Sequence, residues 1–151
     1  MCEFLSAIKT KDKYGKDKYY FLTHDLIHNT PRGEMLQKKY GGDDLVGHAA
    51  IRDYFELQSG VGENWEQTDF SKPKNFPVIL VKAIKRGDFR GLGEPKGLLT
   101  APAGKAYQEA TAPAGKAYQE AKDAAEKAYQ EAKDAFWDLF SEPENRVEAW
   151  R

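Results

Sequence analysis

The chain has 151 residues, 40% of them hydrophobic and 31% charged, with a formal net charge of -1 at pH 7. That length suits one domain of ordinary size and excludes two with full cores. The near-zero charge excludes the strongly basic balance of a dedicated nucleic-acid binder and the acidic excess of a DNA mimic. Nucleic acid is therefore not an expected partner. The charge is divided unevenly, since residues 1–99 carry 16 Lys and Arg against 14 Asp and Glu, and residues 100–151 carry 7 against 10.

Cys2 is the only cysteine, so the chain forms no internal disulfide and nothing points to an oxidising compartment. Directly after Met1, it invites an N-terminal nucleophile reading in which the trimmed α-amine serves as base. That dipeptide resembles the start of class II glutamine amidotransferases. The head is too small for such a fold and no oxyanion motif follows, so an inert cysteine in the first strand is the expectation, with a small Cys2 hydrolase as a third reading. No apolar run approaches the roughly 18 residues that span a bilayer, and no charged-then-apolar leader opens the sequence. A cytoplasmic protein without a membrane partner is expected.

EFLSAIKT (3–10) and KYYFLTH (18–24) are short and β-prone around the turn-rich KDKYGKD, which predicts a hairpin. HDLIH places His24 and His28 four residues apart, the spacing of two metal ligands on one helical face, with His48 the only other histidine. The segment is too short for a dependable helix, so structural histidines and no metal are expected. From Thr30, TPRGEMLQKKYGG has an N-cap, a first-position proline, two late lysines and a glycine stop, and predicts a helix. A second helix is expected over 43–58, with Leu45, Ala49, Ile51, Tyr54 and Phe55 as its apolar set. Residues 59–76 read as a polar loop holding Trp65, and PVILVKAI (77–84) as a buried strand.

KRGDFRGLGEPKG (85–97) is the most suggestive stretch. Four glycines let the backbone turn its N–H groups inward, and Lys85, Arg86, Arg90 and Lys96 outnumber Asp88 and Glu94. Such a loop can cradle phosphate or another anion. Phe89, together with Trp65 or Tyr54, could stack on a base. No Walker or dinucleotide pattern is present, and the competing reading is a solvated basic connector. The ligand-binding candidates are Lys85, Arg86, Phe89, Arg90 and Trp65; no catalytic residue and no cofactor is assigned.

TAPAGKAYQEA occurs twice, at 100–110 and 111–121, and is followed by KDAAEKAYQEA at 122–132. Ala, Lys, Gln and Glu favour helix, and Asp123 with Lys127 forms an acid-before-base pair four residues apart. Apolar positions recur at spacings of 4, 3 and 4, or about 3.67 residues per turn, so the stripe keeps to one face. A helix over 100–140 is about 60 Å long at about 1.5 Å per residue. An alanine stripe buries little area alone, which favours packing on the same stripe of other copies, anchored by Tyr107, Tyr118, Tyr129, Phe136 and Phe140. Folding back on the head and a membrane-surface role are the competing readings, the latter weakened by a polar face of mixed sign. Pro113 implies a kink near Glu109 or a restart capped by Thr111, the kink being favoured. SEPENRVEAWR reads as a separate short helix with a Ser141–Glu144 capping box.

The expected fold class is α+β. A small antiparallel-sheet head with two helices (1–99) precedes a long eleven-residue-repeat helix (100–140) and a short capped C-terminal helix (141–151). The start MCEFLSAI, the central DFSKPKNFPVILVKAIKRGDFRG and the AYQEA tail closing in FWDLFSEPENRVEAW resemble small proteins encoded by bacteriophages and their bacterial hosts, in which repeat number varies. The resemblance implies a setting and no activity. A variable repeat suits a spacer or assembly element, which leaves function to the head. The leading expectation is a non-enzymatic, oligomeric phage accessory protein that binds an anionic, nucleotide-like ligand or a host factor and counters host antiviral defence. A purely structural assembly protein is the alternative.

Overall fold

The computed structural model describes residues 4–150, so Cys2 lies outside the described residues. The chain separates into two compact units that divide between Leu99 and Thr100. In the first, strands β1 (Leu5–Lys11), β2 (Asp17–Tyr20) and β3 (Glu63–Gln67) form an antiparallel sheet in the order β2-β1-β3. Helices α1 (His24–His28), α2 (Pro31–Lys39), α3 (His48–Tyr54) and α4 (Val78–Arg86) complete the unit, and the architecture is α+β as expected.

The expected hairpin forms. Its turn is closed by the Asp12 carboxylate, which accepts the N–H groups of Tyr14 at 2.8 Å and Lys16 at 2.9 Å. Thr30 caps α2 as read, accepting the Gly33 N–H at 3.0 Å, with Pro31 in the first turn.

HDLIH, read as too short for a dependable helix, forms α1 under a Thr23 cap, and three further expectations for the head fail. The single helix expected over 43–58 is broken at Gly47, which is extended, into a 3-10 turn (Gly42–Val46) and α3. It stops at Tyr54, where Arg32 donates to the Tyr54 carbonyl at 2.7 Å and to Glu56 at 2.8 Å; Glu56 is left-handed at φ 54°. The polar loop contains β3, whose only large apolar residue, Trp65, gives no alternation to read; pairing with β1 in the register Ala7↔Trp65 makes it a strand. Gly62 lets the chain approach β1, since a Cβ there would meet the Lys9 carbonyl oxygen at 2.6 Å.

The third failure is PVILVKAI, a helix rather than a buried strand. Leu80 and Ala83 are fully buried while Val78 and Ile79 are 70% and 50% exposed. A strand would have buried alternate residues, whereas spacing of three is helical. Gly87, left-handed at φ 76°, ends α4 and returns its N–H to Ile84.

Central strand β1 is buried on both faces. Ile8 joins Leu22, Ile27, Leu36, Ala50 and Ile51 in a cluster with α1, α2 and α3, while Leu5 and Ala7 join Phe70, Phe76 and Leu80 in a second. β2 pairs with β1 only from Ile8 onward, while β3 pairs from Leu5 to Lys9. Leu5 to Ala7 therefore have a strand neighbour on one side only.

The second unit holds α5 (Ala101–Ser141), with Thr100 as N-cap. The helix runs through Pro113 without restarting. Thr111, the alternative cap, instead donates its hydroxyl back to the Tyr107 carbonyl at 2.9 Å. Lys127 lies 4.0 Å from Glu131 instead of pairing with Asp123, which accepts from Gln119. The Ser141–Glu144 capping box and short helix do not form; Ser141 donates to the Asp138 carbonyl and 3-10 turns follow at Pro143–Asn145 and Glu148–Trp150. The end of α5 is closed by Arg146, which donates to the Phe140 and Ser141 carbonyls and lies 4.9 Å from the Phe140 ring centre. A cation on the last free carbonyls suits the helix dipole. No helix among the described residues is long and apolar enough to cross a membrane.

Candidate functional site

The unpaired flank of β1 opens onto a cavity of about 240 Å³ within the head. Leu5 and Ser6 of β1 line it, together with Leu22 just after β2. Val46, Phe70 and Ile84 add hydrocarbon from three further segments, and Gly87, Phe89, Arg90, Leu92, Pro95 and Leu98 close it from the stretch after α4. The glycine-rich segment read as an anion cradle therefore supplies the wall of an apolar cavity. A mostly hydrocarbon hollow with few polar groups is the usual composition of a small-molecule site.

Two polar groups interrupt that wall. Arg90 is the one charged residue among the described residues lining it. Ser6 is 7% exposed, and its hydroxyl has no hydrogen-bond partner among the described residues. Its backbone is held in the sheet opposite Glu66, which fixes the direction of its Cα–Cβ bond.

Residues 88–90 are fastened to α1. The His24 N–H donates to the Asp88 carbonyl at 2.8 Å, and its Nδ1 lies 3.0 Å from the Arg90 carbonyl. A carbonyl only accepts, so this Nδ1 carries the proton. Arg90 Nη2 reaches Asp25 Oδ1 at 3.0 Å. His24 thus holds the stretch after α4 against α1, and its ring lies 4.5 Å from that of His28. His48 is engaged elsewhere, its Nε2 being 3.1 Å from the Trp65 carbonyl. Among the described residues no three His, Cys, Asp or Glu side chains converge.

The five candidates are not brought together. Phe89 and Arg90 line the cavity, and Phe89 also packs 5.8 Å from Phe21. Arg86 turns to Asp88 at 2.7 Å, which holds the guanidinium pKa above its ordinary value. Lys85 borders a second hollow of about 130 Å³ with Phe76 and Val81. Trp65 packs edge-on against Tyr19 and Phe76, at 5.9 and 6.1 Å, as a structural residue of the sheet. Ser6, Leu22, Val46, Phe70 and Ile84 were not legible as site residues: Ser6 carries no motif, and the other four signal only apolar character, spread over four segments.

On α5 no described side chain is buried. Tyr118 and Tyr129 are 71% and 65% exposed, Tyr107 less so at 39%. Phe136 and Trp137 are exposed and meet edge-on at 5.4 Å, and Phe140 is half-buried beneath Arg146. The other side carries a Lys–Glu pair in each repeat: Lys105–Glu109, Lys116–Glu120 and Lys127–Glu131. The helix is apolar on one side and charge-balanced on the other.

No family model matches the chain, and no similar protein is found among curated proteins or solved structures.

Proposed function

We propose that the protein is a non-catalytic, self-associating binding protein, with a head that holds a small anionic ligand and a repeat helix that joins copies. The cavity on the open flank of β1, closed by residues 87–98 and carrying Arg90 as its charge, is the observation that supports the binding part. Binding needs a shaped apolar volume and a few fixed polar groups, both of which the head supplies. Catalysis needs a nucleophile or acid–base pair at the same place, and the described residues lining the cavity offer one unassisted hydroxyl.

The phage setting follows from the resemblance of the first strand, the central segment and the tail to phage-encoded proteins. In that setting the protein acts inside a bacterial host cell, withholding an anionic molecule or occupying a host factor so that antiviral defence is blunted. A second reading, a structural assembly protein, is favoured by the 41-residue helix without a buried side chain.

Native mass spectrometry of full-length protein purified gently from a bacterial host tests both parts. A multimer that carries a discrete added mass, released on unfolding, is the expected result. A multimer without added mass favours the assembly reading, and a monomer contradicts self-association.

A further inference from the structure

The chemistry of the cavity wall narrows the ligand, an inference that rests on the head being a binding module. Hydrocarbon from Leu22, Phe70, Ile84 and Leu92 forms most of the wall. Burying ribose hydroxyls or a phosphate chain against those side chains strips water from groups that find no partner there. A phosphate chain also calls for several cations, whereas Arg90 is the one charged residue among the described residues lining the cavity. One positive charge beside an apolar volume matches one negative charge on an apolar body.

Arg90 is suited to that charge. A guanidinium presents five N–H donors in a planar fork, and Asp25 accepts from Nη2. Asp25 Oδ1 also accepts from Asn29 Nδ2 at 3.3 Å, so it has a second partner if Arg90 turns away. The Arg90 and Asp25 side chains are 61% and 66% exposed, so water screens their attraction and a ligand acid competes with Asp25 on favourable terms. Ser6 adds a buried hydroxyl with no partner among the described residues, a second place where a polar ligand atom gains a bond.

We propose that the cavity takes a small apolar monocarboxylate, its carboxylate on the Arg90 guanidinium and its hydrocarbon among Leu22, Phe70, Ile84 and Leu92. A fatty acid of medium chain and an arylalkanoic acid share this chemistry, and they differ in whether the body is a chain or a ring.

Isothermal titration of the full chain with octanoate, phenylpropionate, octanol and adenosine monophosphate separates the possibilities. At least one acid binds once per chain, and octanol binds about ten-fold more weakly, the loss of one charge-assisted contact. Arg90→Gln lowers the affinity for the acid to that for octanol and leaves octanol unchanged, while Asp25→Asn tightens the acid. Arg90 is exposed, so its replacement leaves the fold intact, which far-ultraviolet circular dichroism verifies before titration. Equal binding of acid and alcohol, or an acid affinity indifferent to Arg90→Gln, overturns the assignment of the charge. Adenosine monophosphate binding where neither acid binds overturns the ligand class and leaves the binding module standing. If none of the four binds and native spectra show no retained mass, both readings fall.

Discussion

Ser6 sits in the middle of an otherwise apolar stretch of β1, between Leu5 and Ala7, with its hydroxyl unpartnered among the described residues. A buried hydroxyl without a bond costs free energy, and deleting it removes that cost. Ser6→Ala should therefore stabilise the head by about 1 kcal/mol, read as a higher urea midpoint with unchanged slope. A loss of similar size would show that the hydroxyl holds a bond in solution. Arg90 illustrates the converse at the same scale. The sequence marked it as a cation in a glycine-rich run, and its setting comes from the apolar volume beside it and from Asp25, which lies 65 residues away in the chain.

At the scale of elements, the sequence was legible where local chemistry decides and silent where pairing decides. The hairpin, α2 and its Thr30 cap follow from turn and capping residues that act within a few positions. β3 has no such signal, because ENWEQ becomes a strand only through its pairing with β1. α4 shows the opposite confusion, since VILV is apolar enough for either element and only the burial of Leu80 and Ala83 beside exposed Val78 reveals the helical period. The cavity was half legible: its outer segment drew notice as a glycine-rich basic run, but its apolar character depends on five further segments meeting.

α5 carries a defect that can be tested in isolation. Pro113 deprives the Glu109 carbonyl of its helical partner, and an internal proline costs about 3 kcal/mol. Pro113→Ala should raise the melting temperature of the helical signal at 222 nm in the full chain. An unchanged or lower melting temperature would mean that the helix is already interrupted there in solution.

At the scale of the molecule, α5 is a helix of 41 residues in which no described side chain is buried. Tyr107, Tyr118 and Tyr129 recur every eleven residues, so a second copy shifted by one repeat still meets tyrosine with tyrosine. Replacing all three with serine should convert a sedimenting multimer to a monomer while the head retains its thermal transition. Persistence of the multimer would move the interface elsewhere. Copy number in such a helix alters spacing and avidity without altering the head, which is consistent with binding and assembly residing in separate units.

The central claim is that the hollow beside the first half of β1 is where the ligand sits. Methyl resonances of the full chain, followed by nuclear magnetic resonance during titration with octanoate, test it most directly. The account predicts shifts at Leu22, Val46, Ile84, Leu92 and Leu98, and none at Ile79 or Val147. Shifts confined to methyls outside the cavity, or no shifts at any acid concentration, would contradict it.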